Sequence, residues 1–314
     1  MKLVTAKRAV RAISIIVVFG FVSKILGFVR EMVIARFYGA TAATDAFNIA
    51  FNIPGLILAG LGGAIATTFI PAFTRKAEQE GKQAAFALSR KLMTGFAMVG
   101  LLLCGLAIVF APALTHLLAP KFDPAKTALA AKLSRILLTA GVFTILSGLA
   151  AGLLQAQERF TMPALIGFPF SLIIIAVVGL FARRYGIYAL AVGTAISMAV
   201  QFMFLVPAIV RTGFNFKPSF DFRDPEVQRV AALTLPVFAG SMLLQVNTIV
   251  DRMFASGLPV GSISALNYAS KVNGMIVSIV ATGIATVALP ALSLPPRTKT
   301  SHVCAARCSW RSAA

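Results

Sequence analysis

The ionisable side chains of greatest chemical interest are Lys24, Arg30, Glu31, Asp45 and Lys271, which lie in or beside long apolar runs. A charged group in hydrocarbon is costly, and it ordinarily lines a watery cavity or meets a partner. Lys24 stands thirteen residues past Arg11, roughly 20 Å along a helix at about 1.5 Å per residue, well inside the bilayer. Glu31 is seven residues further on and shares a face with Lys24, whereas Arg30 is turned about 100° from Glu31. Lys271 lies seven residues into its run, roughly 10 Å from its end. Asn48, Asn52, Asn267 and Asn273 add neutral donors, with hydrogen bonding between helices as their ordinary alternative. Arg36 and Arg252 are equally well read as snorkelling to an interface. Lysine and arginine gathered with amide donors suit phosphate oxygens. An anion held within a membrane would be one tethered to a lipid. No metal and no cofactor is expected. The ten acidic residues are scattered, and His116 and His302 form no catalytic or metal-binding pattern, so an enzyme acting on polyprenyl phosphates is disfavoured.

Such residues need apolar helices to hold them. Of 314 residues, 58% are apolar and only 12% charged, with mean hydropathy +0.87. About 20 apolar residues cross a bilayer. Eight runs qualify, at 12–36, 45–72, 92–113, 134–156, 163–182, 186–210, 229–253 and 264–292. The net charge of +19 sits in short loops with no continuous basic face, which argues against nucleic acid. The first run follows Lys2, Lys7, Arg8 and Arg11 but continues to Phe37 without a convincing cleavage site, so it reads as a retained span rather than a leader. Loops on the N-terminal side carry fourteen Lys and Arg against seven on the other, which places the N-terminus in the cytoplasm. Gly20 and Gly27 are expected to let the first helix pack closely. Pro54, Pro71, Pro236, Pro290 and the run Gly60-Leu61-Gly62-Gly63 mark bendable helices. Cys104 reads as a buried thiol, and Cys304 and Cys308 show no disulfide or metal spacing.

An internal repeat organises these runs. Residues 45–74 and 264–293 align without a gap at an offset of 219, with ten of thirty positions identical, among them Asn48/Asn267, Gly55/Gly274 and Pro71/Pro290. Repeats of this kind mark transporter folds with the site between the halves. The expected class is an all-α polytopic membrane protein of about eight transmembrane helices: one complete six-helix lobe plus the first two helices of a second. The division is 1–212 for the first lobe, 213–229 for a cytoplasmic linker, 230–293 for the start of the second lobe, and 294–314 for an aberrant or disordered tail. A chain of one and a third repeats reads as C-terminally truncated.

The string SKILGFVREMVIARFYGATAATDAFNIAFNIPGLI resembles the opening of the MurJ/MviN lipid II flippases of the multidrug/oligosaccharidyl-lipid/polysaccharide exporter superfamily, with LGFVRE, ARFYGA and ATDAF carrying the match. LPALS near the end of the eighth run also fits. The resemblance covers about 10–293. It implies alternating access through a cationic central cavity, the bacterial cytoplasmic membrane as location, and undecaprenyl-pyrophosphate-linked peptidoglycan precursor as partner, carried by a monomer without catalysis. Residue by residue, Arg30 matches the family's first-span arginine. Glu31 matches the acidic residue that follows it, and Lys24 an earlier basic position. Asp45 matches the TDAF aspartate, and Lys271 a basic position of the eighth span. Asn52 joins them as a substrate-binding candidate. Many members carry arginine shortly after the second-span proline, whereas here Pro54 is followed by GLILAGLGG. The last six spans, where the family's lipid-tail groove lies, are not in this sequence. Alternatives are an exporter of another polyprenyl-linked saccharide or drug, or a non-functional fragment.

Overall fold

The computed structural model describes residues 2–292, with side chains described for 19–58, 67–243 and 245–278. The 294–314 tail lies outside the described residues, and the four leading basic side chains, the 60–63 run and Pro290 lie outside the described side chains.

All regular elements among the described residues are helical. In order they are α1 (Lys2–Tyr38), α2 (Ala42–Ala64), a π-helical turn (Ile65–Phe69), α3 (Ile70–Glu80), α4 (Lys82–Val109), α5 (Ala111–Leu118), α6 (Pro124–Thr139), α7 (Gly141–Ala156), α8 (Thr161–Ala164), α9 (Gly167–Tyr185), α10 (Ile187–Val210), α11 (Pro225–Ala255) and α12 (Ser262–Leu292). Among the described residues, five helical stretches are long and apolar enough to cross a membrane: Lys82–Val109, Pro124–Ala156, Thr161–Tyr185, Ile187–Val210 and Pro225–Ala255. The chain is a multi-pass membrane protein. It is compact through Val272, and from Asn273 the remainder of α12 belongs to a second unit. There Ser278 Oγ donates to the Met275 carbonyl at 2.9 Å.

The helices differ from the apolar runs in an instructive way. The polar stretch 73–91 between the second and third runs is almost wholly helical: α3 runs to Glu80, and only Gly81, at φ +85°, interrupts the chain before α4 starts at Lys82. Hydropathy measures bilayer length, but an amphipathic helix does not stop where the bilayer does. Phe73 of α3 and Phe86 of α4 are both buried, with ring centroids 6.1 Å apart, so the polar hairpin has its own apolar seam. Conversely, the 92–113 run breaks at Phe110, before a short helix carrying Pro112 in its first turn. The 134–156 run lies across the junction of α6 and α7 at Ala140.

The core is built of leucine and phenylalanine, with Phe69, Phe86, Leu133, Leu137, Leu149 and Leu153 among its most deeply buried side chains. Close approach falls at glycines other than the expected pair. Gly20 and Gly27 face open space, whereas Gly193 of α10 lies against Val177 of α9, and Gly141 against Cys104 and Leu58. The segment between α10 and α11 is tied to α4. Thr94 Oγ accepts from the Ser219 amide at 3.1 Å, and Lys91 reaches Asp221 at 2.7 Å and Asp224 at 2.8 Å. Asp224 also caps α11 by accepting from the Glu226 amide at 2.9 Å. The Lys91 ammonium, helped by that amide, holds the Asp224 carboxyl below the usual carboxylate range. The tie therefore contributes its stability above the unfolded carboxylate pKa and loses it as pH falls through the lower folded value.

A Cβ at Gly193 would stand 2.9 Å from Val177 Cγ1, while one at Gly179 meets nothing within 4 Å. Gly193→Leu is expected to lower stability by about 1–3 kcal/mol through overpacking, and Gly179→Leu to leave it nearly unchanged. Thermal melts of the purified protein in detergent check the pair, and equal melts would contradict the packing.

Candidate functional site

Near the end of the bundle where α1 ends and α12 begins lies a cavity of about 110 Å³, lined by α1, α2, α9, α10 and the start of α12. Arg30 and Glu31 enter it from α1, Asn48 and Asn52 from α2, and Asn267, Tyr268 and Lys271 from α12. The Arg30 fork is spread over three neighbours. One nitrogen donates to Glu31 Oε1 at 2.7 Å, the other to Ser171 Oγ at 3.5 Å, and the guanidinium carbon lies 5.2 Å from the centre of the Phe170 ring. Both members of the Arg30–Glu31 pair are about 15% exposed, so the pair is shielded from bulk water. Lys271 makes no ion pair among the described residues, so the cavity carries one uncompensated positive charge. No group of three or more His, Cys, Asp or Glu able to hold a metal occurs among the described residues.

Of the six residues expected at a substrate site, four line this cavity: Arg30, Glu31, Asn52 and Lys271. Lys24 is exposed on α1 and is not part of the lining. Asp45 lies beside the cavity but is only 4% exposed, and its oxygens are engaged. Its Oδ2 accepts from the Gly261 amide at 2.7 Å, and its Oδ1 accepts from the Ser264 amide at 2.8 Å and the Ser264 hydroxyl at 2.6 Å. The carboxylate of α2 thus caps α12 from outside, where a helix start favours negative charge. Gly261 adopts φ +93°, and a Cβ there would run into the Ala40 carbonyl, so this approach requires glycine.

The contacts between α2 and α12 follow the repeat. Asp45 meets Ser264, 219 residues on; Asn48 Oδ1 accepts from Asn267 Nδ2 at 2.7 Å, again 219 residues on. Asn48 Nδ2 also donates to Ser264 Oγ at 3.2 Å. Asn52 and Lys271, the next pair at that offset, both line the cavity, and Asn52 turns back to donate to the Asn48 carbonyl at 2.7 Å. Around them Tyr268 donates to the Gly39 carbonyl at 3.2 Å, and Tyr38 to the Gly186 carbonyl at 3.0 Å. Ser264, Gly261, Phe170 and Tyr268 were not foreseen. The offset alone could have pointed to Ser264, the repeat equivalent of Asp45.

Known proteins are similar to this chain in sequence and in fold. The family model "Lipid II flippase MurJ" matches residues 34–303. The lipid II flippase MurJ of Burkholderia cenocepacia is 29% identical, with 96% of this chain and 60% of that protein covered. The probable lipid II flippase MurJ of Rickettsia prowazekii is 30% identical, over 87% of this chain and 54% of its own. A solved lipid II flippase MurJ in an inward closed conformation matches with TM-score 0.74 at 25% identity, over 87% of this chain and 57% of that one. A multidrug transporter of the MATE family, outward-facing, shares the fold at TM-score 0.66 and 13% identity, over 88% of this chain and 63% of its own. The chain thus spans a little over half the length of these relatives. With the match running from the end of α1 through α12, the chain belongs to the lipid II flippase MurJ family.

Proposed function

We infer that this chain forms the substrate-gripping part of a flippase that moves lipid-linked peptidoglycan precursor across the bacterial cytoplasmic membrane. The observation that carries the reading is the cavity in which Arg30 of α1 and Lys271 of α12 converge. Phosphate is the group such cations suit, and a planar guanidinium can offer two parallel donors to it. Glu31 keeps Arg30 in place and neutralised while the site is empty, and an entering pyrophosphate would compete with Glu31 for the fork. No bond is made or broken, so the cavity needs no nucleophile and no general base.

The position of the ties supports a reading of alternating access. With the N-terminus cytoplasmic, the Asp45–Ser264, Asn48–Asn267 and Tyr268–Gly39 contacts seal the outer end, and the cavity would open by their release. Asp45 is then a latch on the start of α12 rather than a hand on the substrate. In this scheme the linker at 213–229 would separate the lobe at 1–212 from α11 and the start of α12, which would move against it.

Arg30→Ala is expected to weaken binding of an undecaprenyl-pyrophosphate lipid to the purified chain at least tenfold, about 1.4 kcal/mol. Arg30→Lys should weaken it less, because charge remains but the fork does not. Binding unchanged in the alanine variant would remove Arg30 from the site. For orientation, in a chain whose Cys104, Cys304 and Cys308 are replaced by serine, Asp123→Cys should react with an impermeant maleimide added outside cells and Lys82→Cys should not. The reverse pattern would invert the topology. In the same background, Asn52→Cys should label several-fold faster from outside once Asp45→Ala is added. Labelling that does not change would sink the latch.

A further inference from the structure

We propose that the hollow flanking α4 at the linker end of the bundle is a binding site for an anionic glycerophospholipid, separate from the cavity and independent of the transported substrate. The hollow is about 330 Å³ and lies between α4, α7, α10 and the linker. Its walls are apolar: Met93, Met98 and Leu101 of α4, Leu146 of α7, and Phe202 of α10 facing Phe216 of the linker. Its polar lining is confined to Arg90, Thr94 and Lys217. From Arg90 to Leu101, α4 rises roughly 16 Å, so the hollow runs from the polar end of the helix well into its apolar stretch.

Two features make this a lipid site rather than a packing gap. The first is rigidity. Phe216 is held edge-on to Phe214 at 5.0 Å and to Phe202 at 6.1 Å, Phe214 is edge-on to Phe86 at 5.5 Å, and Ser219 is pinned to Thr94. The wall is therefore formed before any ligand arrives. The second is charge. Neither Arg90 nor Lys217 makes an ion pair among the described residues, and both line the hollow, Arg90 half-buried and Lys217 exposed. The opposite face of α4 supplies the contrast. There a larger apolar hollow of about 460 Å³ is lined by Gly95, Val99 and Phe222, but its one cation, Lys91, is already committed to Asp221 and Asp224. Both hollows can take an acyl chain, and only the first has free positive charge for a phosphate. Basic pockets between spans recognise anionic lipid heads in this way.

The test reads the two hollows in one helix. Trp310 is the only tryptophan and is replaced by phenylalanine. Met98→Trp then reports the first hollow and Val99→Trp the second, both positions being about half exposed. Each variant is reconstituted in phosphatidylcholine vesicles containing a minor fraction of dibrominated phosphatidylglycerol or dibrominated phosphatidylcholine, and quenching is compared. The expected result is stronger quenching by the anionic lipid in the Met98→Trp chain only, a preference of roughly fivefold per cation. Arg90→Gln with Lys217→Gln should abolish the preference while leaving quenching by brominated phosphatidylcholine intact, and Arg90→Lys with Lys217→Arg should keep it. The proposal fails if both lipids quench the Met98→Trp reporter equally, if the preference survives the double glutamine variant, or if the Val99→Trp reporter shows the same preference.

Discussion

The Asp45 carboxylate, buried at 4% exposure, sets the terms for the rest of the site. A buried charge away from water must find donors within the chain, and leaving it without them would cost several kcal/mol. Asp45 finds three, all from the first turn of α12 or the residue before it. That turn has amides with no partner inside its own helix. Each side thus resolves the other's deficit, and α2 and α12 are held together at one end. Everything nearby conforms to that junction. Gly261 must be glycine so that Ala40 can come close, Tyr268 reaches Gly39, and Asn48 is set where it meets both Ser264 and Asn267.

Beyond the junction the same two helices help to frame the cavity, whose charged lining is Arg30, Glu31 and Lys271. Arg30 brings one positive charge and Glu31 cancels it at 2.7 Å. Lys271 then leaves the cavity cationic. A site with two unpaired cations would be costly when empty, and a fully neutral one would have little to offer an anion. The Arg30–Glu31 pair is a fork kept oriented by its neighbour and by Ser171 and Phe170. Exposure near 15% on both sides keeps solvent screening low without the full desolvation cost of a deeply buried pair.

Much of this was legible in the sequence, for reasons that differ by residue. Apolar length identified the helices, because the bilayer imposes it. Arg30, Glu31 and Lys271 stood out because charge in such helices is rare. Lys24 stood out by the same rule and lies elsewhere: it shares a face of α1 with Glu31 but stands seven residues, roughly 10 Å, earlier along the helix, outside the cavity lining. Gly20 and Gly27 were conspicuous as small residues, yet the tight contacts fall at Gly141 and Gly193. Which glycine is close to a neighbour depends on the crossing of two helices, and no single helix records that. The helical hairpin of α3 and α4 was hidden because its polar residues look like a loop to hydropathy, and its seam of Phe73 and Phe86 needs both helices to be recognised.

The repeat carries more information than its identities show. Positions 45, 48 and 52 are spaced by three and four residues, so they form one stripe along α2, and 264, 267 and 271 form the same stripe along α12. Only the central rung keeps its type, as asparagine facing asparagine. At the first rung the repeats have diverged to aspartate and serine, which turns a symmetric contact into a donor–acceptor junction. At the third they have diverged to asparagine and lysine, and both side chains line the cavity. Symmetry brings equivalent positions together, and identical charged residues at such positions would repel. Divergence at the outer rungs is therefore what keeps a duplicated helix pair from opposing like charges: an acceptor meets donors at the first rung, and a single cation stands beside an amide in the cavity lining at the third.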